Sequence, residues 1–424
     1  MHMKPLAHSL FISVLLLLSR SNGHAQSILT LDSCYALARM HYPQTRQFDL
    51  IRQSNTYTVE NAWKAKLPQL NVSAQATYQS DVTSVPISIP NIDIPVPDKD
   101  QYNLYAEATQ SINDLYTSRD RVALIEANHE VEIQKTEVEI YRLRERINQL
   151  YFGILVFNAQ LQQTDLLKKD IRTGIDNATI AVENGMAIPG AVTLLEAEWL
   201  QVDQRTTEIK AGRKAYLHML SLFTGKDIDE STTFEKPISP IRSSEISRPE
   251  LKLYDLQRQT YELQSRLHTI DNQPRIRVFL RAGVGKPGLN MLHDEFDFYY
   301  LGGVRMNWNL STRYTFQNQK HLLSLNQDGI DLMRETFLFN TNITLQQQDA
   351  EISKLEELIT TDQAIIILRE KITTATAVQL ENGTATANDY VTHINAADKA
   401  RQNLAIHEIQ LQQAQYNYLT TTGQ

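Results

Sequence analysis

Gly283-Val-Gly285-Lys-Pro-Gly288 carries the G-x-G-x-x-G spacing with which a strand-to-helix turn cradles a pyrophosphate. That chemistry needs a helix N-terminus directly after the glycines. Pro287 sits inside the motif and Phe296-Asp-Phe-Tyr-Tyr300 follows without a helical pattern, so the stretch reads as a loop. No P-loop, H-E-x-x-H, C-x-x-C or G-x-S-x-G occurs. The 11 histidines are scattered; His393 and His407 stand 14 apart on a helical stretch and read as surface or packing residues. Asp165 and Asp170 lie in a solvated Lys-Lys-Asp run. No catalytic residue, metal site or cofactor is expected, and the chain does not read as an enzyme. The charged residues that do form a pattern are arginines: Arg275, Arg277 and Arg281 fall on alternate positions. Guanidinium groups so placed attract anions, and they cannot face a dry core.

The element that positions them is a strand. After Pro274, Ile276, Val278, Leu280, Ala282 and Val284 alternate with Arg275, Arg277, Phe279, Arg281 and Gly283. After Pro68, Leu70, Val72, Ala74, Ala76 and Tyr78 alternate with Asn71, Ser73, Gln75, Thr77 and Gln79. Each proline stops a preceding helical pattern, and strict period two means one apolar and one wet face. If the arginine face meets water, the apolar face needs something other than a soluble core, and lipid around a membrane barrel supplies it. Two more strands carry Tyr102, Leu104, Ala106 and Ala108 against Glu107, and Tyr300, Val304, Met306 and Trp308 against Arg305. The four are expected at about 69–80, 102–112, 275–285 and 298–309, long enough to cross a bilayer at a tilt. Leu70, Val72, Leu104, Val278, Leu280, Val304, Met306 and Trp308 are then lipid-facing, with Tyr78, Tyr102, Tyr300 and Trp308 as interface aromatics.

The rest of the chain agrees with export. Residues 1–25 combine Lys4, an apolar run from Leu10 to Leu18 and Gly23-His-Ala25, which reads as a signal peptide. The run is too short to span a membrane, and no other stretch approaches 18 consecutive apolar residues. Cys34 is the single cysteine, which excludes an intrachain disulfide; Asp32 nearby speaks against a lipid anchor there. The net charge of −8 gives no nucleic-acid footprint.

An internal repeat sets the architecture. Pro43, Phe-Asp-Leu-Ile-Arg-Gln at 48–53 and Pro68 recur as Pro249, Tyr-Asp-Leu-Gln-Arg-Gln at 254–259 and Pro274, an offset of 206. Glu183-Asn-Gly185 recurs as Glu381-Asn-Gly383, and each copy then runs 40 residues to Gly225 or Gly423. Two repeats, 26–225 and 248–424, are thus joined by 226–247. Each reads helix, strand, strand, long helix, return helix. The first long helix, about 114–183, has a heptad seam through Ile140, Leu143, Ile147, Leu150, Ile154, Phe157 and Leu161, continuing past Lys168 to Ile171, Ile175, Ala178 and Val182. The second, about 311–381, is less regular, with Ile352, Leu355, Ile359, Ile366, Leu368 and Ile372. Four strands cannot close a barrel, and open edges cannot sit in lipid, so several copies must complete a ring of eight, twelve or sixteen strands.

This layout, the duplicated P-x(5)-D-L-x-R-Q stretch, the E-N-G turns and the ending Gln-Tyr-Asn-Tyr-Leu-Thr-Thr-Thr-Gly423 resemble the TolC-like outer-membrane efflux family over essentially the whole mature chain. The resemblance implies a homotrimer whose twelve-stranded barrel continues as a periplasmic α-helical coiled-coil tunnel. It also implies the function: an outer-membrane exit duct of a tripartite efflux or type I secretion system. Such a duct passively conducts substrates from an inner-membrane pump, reached through a periplasmic adaptor. The alternative is a periplasmic coiled-coil scaffold or adhesin without a pore. Where the family often has a basic residue two positions after the second turn glycine, this chain has Ala385; the family's acid six positions after it is present as Asp389, and the first copy has Ala191. The expected adaptor-docking tip is Gly185, Met186, Pro189, Gly190, Gly383, Thr384 and Asn388. The expected pore lining is Glu107, Arg275, Arg277, Arg281 and Arg305 on the strands, which favours anions unless loop acids such as Asp294, Glu295 and Asp297 pair with them. Asp389 is expected as an acidic ring at the mouth.

Overall fold

The computed structural model describes residues 28–84, 86–87 and 96–424; the expected signal peptide and residues 85 and 88–95 of the first strand-to-strand loop lie outside the described residues. The chain divides into two compact units, and each draws on both sequence repeats. One takes residues up to Thr45, Ile140–Ser247 and Thr341–Gln424; the other takes Arg46–Glu139 and Arg248–Asn340.

The second unit is built on an antiparallel sheet of order β1-β2-β3-β4. Helix α2 (Gln47–Lys64) leads to β1 (Gln69–Tyr78), and α6 (Pro249–Asp271) leads to β3 (Arg275–Lys286). Each strand starts one residue after the proline that stops its helix. Strand β2 (Asp100–Ser111) passes into α3 (Ile112–Tyr141) with no intervening turn. Strand β4 (Asp297–Asn307) is followed by a 3-10 turn, Leu310–Thr312, and by α7 (Arg313–Glu381). Asn113 secures the junction: its amide nitrogen donates to the Pro274 carbonyl at 2.9 Å and its oxygen accepts from the Ile276 amide at 2.8 Å. Alongside, α3 is tied to α6 by Asp120–Arg266 at 2.9 Å and by Gln134, which donates to the Pro249 carbonyl.

The first unit is helical: α1 (Leu31–His41), α4 (Leu143–Glu183), α5 (Gly190–Thr224) and α8 (Ala387–Thr422), with the C-terminal part of α7. Thr30 and Ser33 form a capping box at the start of α1, which buries Cys34 completely. Burial pushes the Cys34 thiol up to about 12, so the residue behaves as a small apolar one.

Two expectations about the first long helix change. It is two helices, interrupted at Arg142, although no proline or glycine stands there. Its seam is buried at Ile140, Leu143, Ile147, Leu150, Ile154, Ile171, Ile175 and Ala178, but Phe157, Leu161, Lys168 and Val182 are only half-buried and Leu167, Gly174 and Ala181 are buried beside it. Helix α4 packs on both α5 and α8. Two partners demand a buried arc wider than a two-stranded heptad seam supplies. In the second copy, Ile352 and Leu355 are buried, whereas Leu368 is 61% and Ile372 40% exposed within the single chain.

Glycines set the depth of this packing. A Cβ on Gly153 of α4 would collide with the Tyr216 ring of α5, and one on Gly212 of α5 would lie 2.8 Å from the Phe157 ring of α4. Those two rings meet edge to face at 5.2 Å. Segment 226–247 folds back on the same unit. Leu29 forms a parallel bridge with Phe234, and the buried Tyr151 hydroxyl lies 2.8 Å from the Leu29 carbonyl and 2.6 Å from that of Glu235.

Candidate functional site

The strand register places all the alternating apolar residues on one continuous face. Leu70 and Val72 lie opposite Ala108 and Ala106; Leu104 and Ala108 lie opposite Val284 and Leu280; Ile276 and Val278 lie opposite Met306 and Val304. This face is bare in the chain, with Leu70 79% and Val304 69% exposed. Leu104, Val278, Leu280, Met306 and Trp308 are exposed too. Phe298, 71% exposed and opposite Val284, belongs to the same face and extends it beyond Tyr300. Tyr102 meets Phe296 at 6.2 Å, and Trp308 donates to the Asn272 carbonyl at 3.1 Å. Among the described residues no helix is long and apolar enough to cross a membrane.

The opposite face is polar, and its arginines are not alike. Arg281 faces Glu107 in the register and binds its carboxylate through Nη2 at 2.6 Å and Nε at 2.9 Å, while lying 4.0 Å over the Tyr105 ring. Arg275 reaches Asp271 at 3.2 Å. Both charges are therefore balanced within the chain, by Glu107 and by Asp271 rather than by the loop acids. Arg305 lies over the Phe279 ring at 4.8 Å, and its register partner is Arg277. The loop acids serve other groups. Asp294 accepts from the Asp98 amide at 3.1 Å, and His293 sits 2.6 Å from Asp297 and 3.8 Å from Glu295. Asp98 receives a 2.8 Å hydrogen bond from Lys286, which holds its carboxyl below the usual range.

Gly283 and Gly285 lie inside β3, so the nucleotide reading fails for want of a helix. Their purpose is close packing. A Cβ at Gly283 would come within 2.6 Å of the Tyr105 Cβ, in a row where Tyr105 and Tyr299 are its register neighbours. Among the described residues no group of acidic, histidine or cysteine side chains is placed to hold a metal ion. His407 is not a plain surface residue: its Nδ1 lies 2.6 Å from the buried Asp362 carboxylate.

The two interhelical turns are built alike. After α4 the Met186 amide donates to the Ala181 carbonyl at 2.8 Å and the Gly185 amide to Val182 at 3.0 Å; after α7 Thr384 donates to Gln379 at 2.9 Å and Gly383 to Leu380 at 3.1 Å. Both are Schellman motifs, with Gly185 at φ 70° and Gly383 at φ 66°. The turns are neighbours, since a Cβ on Gly383 would lie 3.5 Å from the Met186 carbonyl. Gly185, Met186, Pro189, Gly190, Gly383, Thr384 and Asn388 are all exposed, as is Ile188, which the glycine pattern did not reveal.

Asp389 also has a local structural task. Its carboxylate accepts from the Thr386 amide at 3.0 Å and hydroxyl at 2.7 Å, while Thr386 accepts from the Asp389 amide, a reciprocal capping box. These hydrogen bonds hold the Asp389 carboxyl below its usual range. The matching helix in the first copy has no side-chain cap.

Further along the same helices, Asp398 of α8 is buried, receives a 2.8 Å hydrogen bond from Gln402 and lies 3.6 Å from Arg205 of α5. Burial outweighs the nearby guanidinium and pushes its carboxyl up to about 6.

Residues 35–225 match the outer membrane efflux protein family, a span that ends on the αL glycine closing the first repeat. No curated protein matches the chain. Several solved structures share its fold. The outer membrane protein VceC of Vibrio cholerae superposes with a TM-score of 0.67 at 13% identity, over 93% of this chain and 96% of that one. CusC gives 0.69 at 12% identity over 92% and 91%, and the open MtrE outer membrane channel of Neisseria gonorrhoeae 0.67 at 13% over 93% and 88%. The family match through residues 35–225 and the superpositions over more than nine-tenths of the chain make its first repeat similar to outer membrane efflux proteins and its fold that of TolC-like channels.

Proposed function

We propose that the chain assembles with two more copies into a passive exit duct in the bacterial outer membrane. The observation that carries this reading is the two-faced sheet with open edges. Strands β1 and β4 each have one unpaired side, and the bare apolar face can be covered by lipid only if neighbouring copies pair with both edges. Three chains give twelve strands, with Leu70, Val72, Leu104, Val278, Leu280, Val304, Met306 and Trp308 toward lipid. Glu107, Arg275, Arg277, Arg281 and Arg305 then line the lumen. The twin Schellman turns, with Met186 and Ile188 bare beside Pro189, present the docking end to a periplasmic adaptor that connects to an inner-membrane pump. Asp389 stands in that mouth as the cap of α8.

The test is outer-membrane fractionation followed by unheated and heated electrophoresis, then single-channel recording of the purified oligomer. A heat-dissociable trimer that conducts supports the duct. A periplasmic, non-conducting oligomer overturns it in favour of a coiled-coil scaffold.

A further inference from the structure

The polar face of the sheet carries four arginines, and the chain balances two of them. Arg277 and Arg305 are left as direct partners in the β3–β4 register, both exposed, with no carboxylate partner among the described residues. Like charges opposed on one face of an antiparallel pair are destabilising. The Phe279 ring offsets part of this for Arg305, and among the described residues no ring contact serves Arg277. The two residues line a recess of about 220 Å3 whose other walls include Gln69, Asn71, Thr109 and Ser111. Two carboxyl groups border it and both are engaged, Glu107 by Arg281 at 2.6 Å and Asp114 by Arg121 at 3.8 Å.

We propose that Arg277 and Arg305 form an anion clamp that binds carboxylate- or phosphate-bearing solutes in transit and biases the duct toward anionic cargo. The inference rests on the duct reading, which puts this face on the lumen. A guanidinium presents a planar fork of donors that matches two oxygens of one carboxylate or phosphate. Two adjacent forks hold one such group from two sides, and the amide and hydroxyl walls supply partners for its remaining oxygens. In a trimer the clamp recurs three times at one level of the wall. A ring of like charge inside low-dielectric walls raises the local concentration of counter-ions.

The experiment uses the purified full-length protein in planar bilayers of zwitterionic lipid under a potassium chloride gradient, with citrate and inorganic phosphate as probes. The wild-type pore is expected to prefer chloride and to lose current to citrate and phosphate. In the Arg277→Gln, Arg305→Gln variant the preference should collapse and the half-blocking concentration should rise about tenfold or more, the scale of losing a charge-assisted contact. The Arg277→Lys, Arg305→Lys variant should keep the chloride preference, because the charge remains, but should lose block about tenfold, because lysine has no fork. The lysine variant and the wild type carry the test if the glutamine variant does not assemble. A cation-selective, citrate-insensitive wild-type pore overturns the clamp, as does block that survives in the glutamine variant. A bilayer-embedded trimer with no conductance overturns the duct reading instead.

Discussion

Substituting alanine at Gly185, Gly383 and Gly225 should give two different outcomes from similar backbone angles. All three sit in the left-handed region, at φ 70°, 66° and 66°. A non-glycine residue there costs about 1–2 kcal/mol. At Gly185 a new Cβ meets nothing within 4 Å, and at Gly383 it meets the Met186 carbonyl at 3.5 Å, an ordinary contact. The dihedral cost is therefore the whole cost at the two turns. At Gly225 the Cβ would run into the His41 ring, adding overpacking of about 1–3 kcal/mol. Hydrogen exchange reads the local effect through the amides of Met186 and Thr384, which close the Schellman motifs. A cost of 1–2 kcal/mol corresponds to an opening constant about 5–30 times larger. Gly185→Ala should accelerate exchange at Met186 by that factor and leave the heat dissociation of the oligomer nearly unchanged. Gly225→Ala should do the reverse, lowering the dissociation temperature without touching the Met186 amide. Unchanged exchange at Met186, or a milder effect at Gly225 than at Gly185, would refute the argument. Valine at both turn glycines, a β-branched residue forced to positive φ, should abolish export while leaving the oligomer in the membrane.

Arg281→Gln should destabilise the sheet by about 1–3 kcal/mol, because it leaves the largely buried Glu107 charge without its partner; adding Glu107→Gln should recover part of that, and a fully additive double-mutant cycle would count against the pair. Val278→Arg should cost about 2–4 kcal/mol if the residue lies near the middle of the bilayer, so normal assembly and heat resistance would disprove its lipid-facing place. Asp398 gives a pH dependence whose sign is fixed. Its folded pKa of about 6 exceeds the ordinary aspartate value of 3.8, so its contribution to stability is full below 3.8 and is lost as pH rises through 6. Heat dissociation of the wild type should therefore gain on going from pH 7.5 to 5 relative to Asp398→Asn, and an identical pH profile in the two proteins would exclude it.

Strands β1 and β3 were legible because two independent signals coincide, a proline stop and a period of two; β2 and β4 show the period alone, and all observed ends lie within two residues of the expected ones. The balance of charge on them was not. Whether Glu107 faces Arg281 depends on the offset between β2 and β3, which the alternation leaves free by any even number of residues. The interruption at Arg142 carries no breaker residue, and the widening of the buried arc on α4 reflects how many helices pack on it, a tertiary fact. The cap at Asp389 was legible, since Thr386-x-x-Asp389 before a helical run is a capping pattern in the sequence.

The two free edges of the sheet have a genetic consequence. Strands β1 and β4 differ in sequence, so in the proposed trimer each junction between copies would join unlike edges and the ring would close head to tail. A chain with one edge spoiled, for example by proline in the middle of β4, still offers a sound β1 to its neighbour. It would enter a growing ring and stop it rather than stay out. Coexpressed with the intact protein, such an allele should be dominant, and with random mixing at equal expression only about one trimer in eight would be free of it.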